Sequence, residues 1–414
     1  MLNRLFLSVP PRIIGGWGSR SELAPLLQRM GHKAALIVTD PFFSQETALI
    51  SELQASLTAS GIESLVFDGG IPDPTVEVCL EAQKEIEQKG WRGRIDHVIA
   101  VGGGSNIDLA KVLSILVKFG GTPQDYVGEG RIQGQPLPLV AIPTTAGTGS
   151  EITAGAILVD SSSATKVAVM SNDLRPAIAL IDPELTLSCP PNVTADAGLD
   201  ALTHALESYL TLDSTEFDRG GDPDPVYAGS NELTRMFAVE AIKLCFAHLK
   251  TAYAKGTDRP AREAMAAASL YAALSYGSAG LNAVHALAYA LAGLTHASHG
   301  RTNAVYLPYV LDAMRDIRRN DLAHVARSIG ETATDPDELA RRLVIRTRNL
   351  VAECGVPVSL AEFGVKESQL PDLIKNGLAV TRLTKAFPVQ PAEAVYERIV
   401  RNAFVGTLDA ERET

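Results

Sequence analysis

The chain has 414 residues, of which 46% are hydrophobic and 21% charged, and its formal net charge at pH 7 is −11. This length is too great for one compact core and suits two domains or three. The acidic balance excludes a basic stripe for nucleic acid, and no apolar run is long enough for a membrane helix. The N-terminal apolar stretch is too short for a secretory signal, and the four cysteines are scattered without CxxC spacing. We therefore expect a cytoplasmic protein that binds neither nucleic acid nor membrane.

The first half of the chain alternates strand-like and helix-like segments. Short apolar runs predict strands at RIIGG, KAALIVTD, ESLVFDGG, DHVIAVGGGS, PLVAIP and IALID, and AILVDSSSATKVAVM predicts a hairpin. Helices are predicted between them, over SRSELAPLLQRM up to Gly31 and over roughly 44–60 and 75–90. This alternation predicts an α/β N-terminal domain, residues 1–188, built on a Rossmann-like parallel sheet.

Beyond Pro190 the sequence changes to long stretches rich in alanine and leucine with helical periodicity. They predict an all-helical C-terminal domain over residues 189–414. We place the boundary near residues 187–190, where two prolines precede Thr194, which we expect to cap the first helix. The polar segment 213–231 is predicted to be a surface loop.

The sequence GGGSNIDLAK, residues 102–111, follows the strand HVIAV and opens a helix. Glycines at such a turn let backbone N–H groups approach a phosphate, and the helix N-terminus favours an anion. The motif lacks the third glycine of the GxGxxG dinucleotide fingerprint, having Ile107 there. A tight turn with a packing role also fits the motif, but the strand before it and the helix after it favour a phosphate site.

Two further features of this half suit a nucleotide. PTTAGTGSE, residues 143–151, follows a strand, and its small hydroxyl residues between glycines can line a nucleotide without bulk. Asp40 ends an early strand, where a carboxylate can accept hydrogen bonds from ribose hydroxyls and repel a 2′-phosphate, favouring NAD over NADP. A carboxylate at a strand end can equally be a turn former.

Asp200 and His204 are four residues apart in a predicted helix, so they project from one face. A carboxylate and an imidazole at this spacing can share one metal ion, although a surface pair or a buried hydrogen bond fits the same spacing. His285 and His299 could complete a site of one carboxylate and three histidines with an open position. Four other histidines lie elsewhere in the chain, and we expect them to be ordinary hydrogen-bonded polar groups and not metal ligands: His32, His97, His248 and His324.

Together these motifs resemble the iron-containing (group III) alcohol dehydrogenase family. The resemblance rests on GGGSNIDLAK, PTTAGTGSE, IDPELTLSCPPNVTADAGLDALTHALESY and AVHALAYALAG with the following HG, and it covers nearly the whole chain. It implies a dehydroquinate synthase-like fold, with an α/β nucleotide domain, an all-helical metal-binding and catalytic domain, and the active site in the cleft between them. It implies that the metal ligands are Asp200, His204, His285 and His299, with His299 rather than His296 as the fourth. It implies cofactor contacts from Asp40, Gly102, Gly103, Gly104, Ser105, Thr144, Thr145, Thr153, Lys166 and Leu185.

The resemblance also implies an activity and an assembly. The expected reaction is hydride transfer between NAD and a small alcohol or hydroxy acid, assisted by a divalent metal as Lewis acid. The family points to Fe(II), and the same ligands accept Zn(II), Ni(II) or Mn(II). The expected assembly is a homodimer or a higher homo-oligomer.

The chain departs from the family pattern at two places. Tyr289 stands where some members carry a histidine one turn after the third ligand, and its phenol could relay a proton or contact the substrate. Phe387-Pro388-Val389 replaces an Asn-Pro-Arg that the family often shows, which changes the local lining.

Two other enzymes fit much of the same sequence. One is a hydroxyacid–oxoacid transhydrogenase, in which tightly held NAD shuttles hydride between two acids. The other is a dehydroquinate synthase-like lyase, whose phosphate-bearing substrate calls for several basic residues. The segments around the three histidines offer little beyond Arg301, which disfavours the lyase.

Overall fold

A computed structural model describes residues 4–161 and 165–412 of the chain. Its contacts divide it into two compact units, an α/β unit over Ser8–Leu187 and a helical unit over Ser188–Thr414 that also takes in the described part of Met1–Leu7. Asn231 donates to the carbonyl of Phe6 at 3.0 Å, and the guanidinium of Arg219 donates to the carbonyl of Arg4 at 2.8 Å. These bonds hold residues 4–7 in the helical unit. The expected domain limits, 1–188 and 189–414, had instead put these residues in the α/β domain.

The α/β unit is built on a six-stranded sheet whose strands are all parallel, in the order β1-β9-β6-β4-β2-β3. A smaller sheet has the order β5-β8-β7, in which β7 and β8 form the predicted antiparallel hairpin. The turn of that hairpin, at residues 162–164, lies outside the described residues. The strands are β1 Arg12–Gly15, β2 Ala34–Val38, β3 Glu63–Phe67, β4 His97–Gly102, β5 Gly128–Glu129, β6 Leu139–Pro143, β7 Gly155–Asp160, β8 Thr165–Met170 and β9 Ile178–Ile181. The predicted parallel α/β sheet is confirmed.

Helices pack on both faces of the large sheet. The strand β2 shows why: Leu36 and Val38 join the core formed with α4 and α5, while Ala35 and Ile37 join the core formed with α1 and α3. Since successive side chains of a strand point to opposite faces, a strand buried on both faces reads as one continuous apolar run. The helices are α1 Leu23–Met30, α2 Pro41–Gln45, α3 Leu49–Ala59, α4 Val76–Gln88 and α5 Gly104–Phe119.

The helix predicted over roughly 44–60 is two helices in the structure, α2 and α3. Asp40 caps α2 by accepting hydrogen bonds from the backbone N–H groups of Phe42 and Phe43, and Pro41 supplies the first helical residue. A capping carboxylate followed by proline starts a helix, so α2 begins earlier than the periodicity indicated.

The second unit is helical throughout its described elements. Its helices are α6 Pro191–Leu210, α7 Glu232–Ala254, α8 Arg259–Ala279, α9 Ala283–Thr295, α10 His299–Ala313, α11 Arg319–Ser328, α12 Pro336–Glu353, α13 Leu370–Leu378, α14 Thr381–Thr384, α15 Ala392–Val405 and α16 Asp409–Arg412. The helix α6 is buried over its entire second half, so it is a core helix of this unit. No helix in the described part of the chain has the length and apolar character needed to cross a membrane.

Two local expectations for this unit are wrong. Thr194 does not cap α6, because Pro190 and Pro191 begin the helix and Thr194 lies in its first turn, where its hydroxyl accepts from Arg262 at 2.8 Å. The segment 213–231 is only partly a surface loop. Val226 and Ala228 are buried, and the N–H of Ala228 donates to the carbonyl of Ser278 on α8.

Candidate functional site

The helix α6 presents Asp200 and His204 on one buried face. The Nε2 atom of His204 lies 3.7 Å from Oδ1 of Asp200, and the two residues are 3% and 2% exposed, respectively. The imidazole of His204 stacks between the rings of Tyr276, at 4.0 Å, and His285, at 4.8 Å. These contacts fix the ring plane and point Nε2 toward the carboxylate.

His285 and His299 complete a cluster around the same carboxylate oxygen. The Nε2 atom of each lies 3.8 Å from Oδ1 of Asp200, and one atom from each of the four residues lies within 4.8 Å of the other three. His296 is exposed and ends α9 in a left-handed conformation (φ 54°), outside the cluster. The structure thus brings together the four residues that the resemblance implied, with His299 in the fourth position.

The position of His299 depends on a close approach between two helices. Gly300 follows it at the start of α10, and a Cβ placed there would lie 2.0 Å from the carbonyl oxygen of Asp196 on α6. Asp196 precedes Asp200 by one helical turn. Only glycine allows this approach, which sets His299 beside Asp200.

Glu207, which sequence reasoning did not single out, holds His285 in place. Its Oε2 lies 2.5 Å from Nδ1 of His285, and its Oε1 accepts backbone hydrogen bonds from Val284 and Asn282 at the start of α9. Burial raises the pKa of Glu207 to about 8 and lowers that of His285 to about 4. Because Glu207 takes up Nδ1 of His285, the Nε2 side of the ring faces the cluster.

Asn303 is a second contributor that the sequence did not reveal. Its Nδ2 donates to Oδ1 of Asp200 at 2.7 Å and lies 3.1 and 3.2 Å from Nε2 of His285 and His299. Burial alone would raise the pKa of Asp200, but the three imidazoles and this amide lower it. Asp200 is therefore an anion whose charge is directed at the centre of the cluster.

The chemistry of this donor set fits a divalent metal ion. One carboxylate oxygen and three imidazole nitrogens converge on one point, and His285 is backed by a carboxylate, as histidine ligands of metals usually are. Imidazole and carboxylate suit Fe, Zn, Ni and Mn.

Tyr289, one turn after His285, borders the cluster. Its ring lies 5.6 Å from that of His299, nearly parallel to it, and 6.5 Å from that of His285. Its hydroxyl accepts from the guanidinium of Arg382 at 3.4 Å. Arg301, the basic residue that sequence reasoning placed near the cluster, instead contacts Asp196 at 3.9 Å and donates to the carbonyl of Gly355.

In the α/β unit, the residues expected to contact the cofactor lie mostly where parallel strands end. Asp40 follows β2, the glycine motif follows β4, Thr144 and Thr145 follow β6, and Leu185 follows β9. Because the carboxyl ends of parallel strands meet at one edge of the sheet, these residues share that edge. The connections from β2 and β4 run in opposite directions, which makes the gap between these two strands the switch point where open α/β sheets bind ligands.

Asn106 joins the two strand ends at this switch point. Its Nδ2 donates to Oδ2 of Asp40 at 2.7 Å and to the carbonyl of Val101 at 3.2 Å. A Cβ on Gly102 (φ 144°) would lie 2.1 Å from that nitrogen, and a Cβ on Gly70 would lie 2.2 Å from its amide oxygen. The glycine turn therefore does have a packing role, one of the two roles that its sequence allowed. The helix α5 begins directly after it, at Gly104, without a side-chain cap.

Lys111 lies on α5 and anchors the PTTAGTGSE loop, residues 143–151, and the residues after it to that helix. Its side chain is fully buried, and Nζ donates to Gly155 at 2.7 Å, Ser150 at 3.0 Å and Thr153 at 3.3 Å. Burial lowers the pKa of Lys111 to about 8 and raises that of neighbouring Asp108. The hydroxyl oxygen of Thr153 thus already accepts a hydrogen bond from Lys111.

The two other expected cofactor contacts differ in their surroundings. Lys166, on β8, pairs with Asp73 at 2.6 Å, and both side chains keep some exposure. Leu185 lies in a short 3-10 helix after β9 and packs against the core under α1 and α3.

A second group of His and Asp side chains, His32, Asp96 and His97, lies in the α/β unit. Asp96 and His97 form a hydrogen-bonded pair, and His32 is their neighbour. Nδ1 of His97 lies 2.5 Å from Oδ1 of Asp96, and the ring of His32 lies 4.4 Å from that of His97. Oδ2 of Asp96 accepts the backbone N–H groups of Lys33 and Ala34. Asp96 therefore links the starts of β2 and β4, which explains the group without a metal.

Comparison with known proteins matches both units. The family model described as iron-containing alcohol dehydrogenase matches residues 10–183, and that described as Fe-containing alcohol dehydrogenase family, C-terminal, matches residues 226–404. The chain belongs to the iron-containing alcohol dehydrogenase family. The resemblance inferred from the motifs is confirmed.

Individual members of this family are similar over almost the full chain. A long-chain-alcohol dehydrogenase from Geobacillus thermodenitrificans is 36% identical, with 96% of each chain covered. An NAD-dependent methanol dehydrogenase from Bacillus methanolicus is 33% identical, over 89% of this chain and 92% of that protein. The crystal structure of a 1,3-propanediol oxidoreductase has a TM-score of 0.88 at 30% identity, covering 98% of this chain and 100% of the other. The fold of this member of the iron-containing family is therefore the expected one.

Proposed function

We propose that this protein transfers hydride between NAD and a small alcohol or hydroxy acid, with a divalent metal held by Asp200, His204, His285 and His299. The observation that carries the proposal is the convergence of one carboxylate and three imidazoles within 4.8 Å in a member of the iron-containing alcohol dehydrogenase family. Similar proteins are named as NAD-dependent methanol dehydrogenase and long-chain-alcohol dehydrogenase, which supports NAD as cofactor and an alcohol or aldehyde as substrate.

When bound by the four ligands, a divalent metal such as Fe(II) would supply Lewis acidity toward a substrate oxygen, and NAD would accept or deliver the hydride. Glu207 holds His285 so that Nε2 faces the centre of the cluster. Tyr289 lies beside His285 and His299, which supports a role for its phenol in contacting the substrate or passing on the proton released when an alcohol is oxidised. Because Arg382 donates to the phenolic oxygen, the O–H of Tyr289 remains available as a donor.

We assign cofactor binding to the 1–188 region and metal binding and catalysis to the 189–414 region. The proposed cofactor contacts are Asp40, Gly102, Gly103, Gly104, Ser105, Thr144, Thr145, Thr153, Lys166 and Leu185. Their support is the shared sheet edge at the switch point and the uncapped N-terminus of α5, where a phosphate gains from the helix dipole. We further propose that the protein is cytoplasmic, which agrees with its four free cysteines, and that it forms a homodimer or higher homo-oligomer.

The direct test removes the metal with a chelator and restores Fe(II), Zn(II), Ni(II) or Mn(II) one at a time. Alcohols and aldehydes are then screened by NADH absorbance. We expect turnover that depends on both the metal and added NAD. Absence of turnover with every metal and substrate class would contradict the proposal, and turnover between two acids without added NAD would indicate the transhydrogenase. The pairing of Arg301 with Asp196 argues further against the lyase, whose substrate needs several free cations.

Glu207→Gln is expected to weaken metal binding by about 10- to 100-fold, the usual effect of losing a carboxylate behind a histidine ligand. The amide can present its NH2 group to Nδ1 of His285, which favours a proton on Nε2, the atom that faces the cluster. The measurement is a metal titration in competition with a chelator of known affinity.

Glu240→Gln is the matched control for that variant, because Glu240 is exposed and pairs with Lys243 on the surface of α7. We expect its metal affinity to equal that of the parent protein. Equal affinity in Glu207→Gln as well would show that Glu207 has no part in metal binding.

Asp40→Asn is expected to raise the ratio of kcat/KM for NADP over that for NAD by about 10-fold or more. The change removes the negative charge that would repel a 2′-phosphate. Asparagine keeps an oxygen to cap α2 but loses the acceptor for Nδ2 of Asn106, so the Tm of the variant is measured alongside. An unchanged ratio, measured in parallel with Asp68→Asn at the end of the neighbouring strand β3, would contradict the assignment of Asp40 to the ribose.

A further inference from the structure

Arg382 is a cation next to the candidate metal centre, and the proposed function gives it no contact with the substrate. It lies on the short helix α14, where its guanidinium donates to the hydroxyl of Tyr289 at 3.4 Å and hydrogen-bonds the side chain of Tyr227. Its Cζ lies 5.9 Å from the centre of the Tyr289 ring. Two phenols from α9 and from the 213–231 segment thus hold one guanidinium.

The charge of this guanidinium is not neutralised by a carboxylate. Within residues 4–161 and 165–412, its hydrogen-bond partners are the two neutral phenols, and no ion pair joins it to an acidic side chain. Other arginines of this unit, such as Arg235, Arg318 and Arg342, contact two carboxylates each. A partly buried arginine without such a partner gains little stability, because its desolvation is not offset by charge pairing.

Arg382 lies next to the candidate metal centre, where the reacting end of a substrate would bind. The centre of the Tyr289 ring lies 5.9 Å from Cζ of Arg382 and 5.6 Å from the centre of the His299 ring, so this one phenol neighbours both the guanidinium and a proposed metal ligand. Tyr289 and Arg382 both keep part of their surface exposed, which leaves room for a small molecule to touch them.

We infer that Arg382, held by Tyr289 and Tyr227, binds a carboxylate at the far end of the substrate. This inference rests on the proposed function and narrows its substrate to short hydroxyalkanoates and the matching oxoalkanoates. Guanidinium suits this task because its planar N–H groups match the two oxygens of a carboxylate. In the oxidation direction, the C–H bond at the alcohol carbon breaks, its electron pair and hydrogen pass to NAD⁺, and the hydroxyl proton leaves to water.

The first test needs no variant. The metal-loaded parent enzyme is assayed with NAD and matched pairs of substrates of three to six carbons, each pair comprising an ω-hydroxyalkanoate and the unbranched primary alcohol of equal length. We expect kcat/KM to be about 100-fold higher for the hydroxyalkanoate of the best length, through a lower KM. Turnover of the neutral alcohols with equal or higher kcat/KM overturns the inference and leaves the proposed function standing. Failure of both classes contradicts the proposed function itself.

The second test compares Arg382→Gln, Arg382→Lys and Arg301→Gln. Arg382→Gln is expected to lose about 100-fold in kcat/KM for the hydroxyalkanoate and less than about 3-fold for the neutral alcohol. Arg382→Lys should fall between, because lysine keeps the charge without the planar pair of donors. Arg301→Gln, which removes an equal charge already paired with Asp196, should show neither loss.

A second readout separates binding from a purely structural role. Butanoate, which carries the carboxylate without the alcohol, should inhibit the parent enzyme competitively, and butanamide should not. This difference should vanish in Arg382→Gln while its metal content stays at the parent level. Equal losses on both substrate classes, or butanoate inhibition that is retained in Arg382→Gln, would overturn the inference.

Discussion

His204→Ala and His285→Ala are each expected to remove bound metal and to lower kcat by at least about 1000-fold. Each change deletes one of three imidazole nitrogens that lie 3.7 or 3.8 Å from Oδ1 of Asp200. The remaining donors cannot enclose a metal ion in the same geometry, and the Lewis acid is lost with it. A 1000-fold loss corresponds to about 4 kcal/mol of transition-state stabilisation.

Metal content, measured on the purified variants, is the decisive readout, because it does not depend on the choice of substrate. His296→Asn is the matched control: His296 is exposed outside the cluster, and asparagine tolerates its left-handed conformation. We expect this control to keep its metal and its activity. Full metal content in both His204→Ala and His285→Ala would refute the assignment of the four ligands.

Gly300→Ala is expected to destabilise the helical unit by about 3 kcal/mol or more. The added Cβ would lie 2.0 Å from the carbonyl oxygen of Asp196 and 2.6 Å from its carbonyl carbon, and both are backbone atoms. The clash can be relieved only if α10 moves away from α6, which carries His299 away from Asp200. We therefore expect a fall in Tm of about 6 °C or more, together with weaker metal binding.

Gly293→Ala provides the contrast within the neighbouring helix. Gly293 is exposed in α9, and a Cβ there meets no atom within 4 Å. Because alanine is the better helix former, this variant should be more stable by up to about 1 kcal/mol. If Gly300→Ala matches Gly293→Ala in stability and metal affinity, the close approach of the two helices does not position His299.

Much of the fold could be predicted from sequence, since it is written in local patterns. Strands such as β2 and β4 are buried on both faces, so each is a continuous apolar run, and the helical unit shows the helical period over long segments. Helix starts were predicted less well, because they depend on backbone conformation. Proline at the first position replaced the expected Thr194 cap, and the Asp40 cap with Pro41 divided one expected helix into two.

The residues of the candidate site likewise fall into those that the sequence revealed and those that it did not. Asp200 and His204 are recognisable because their spacing follows the helix, while His285 and His299 required the family motif to join them to the pair. Asn303 and Arg382 could not be found in this manner, since their roles depend on which helices pack together. Glu207 had a usable signal, because it lies three residues after His204 and seven after Asp200, on the same face of α6. Arg382 lies in a four-residue helix without periodicity, and nothing in its sequence neighbourhood pointed to Tyr289.

The four proposed ligands lie on three different helices, α6, α9 and α10, of which α6 is distant in sequence from the other two. An ion that binds this arrangement and not the unfolded chain adds to the free energy of unfolding, by about 2.7 kcal/mol when its free concentration is 100 times its dissociation constant. Supply of metal would then set the lifetime of the protein as well as its rate. Under metal starvation, opening of the helical unit and digestion by proteases would remove inactive molecules in preference to metal-loaded ones.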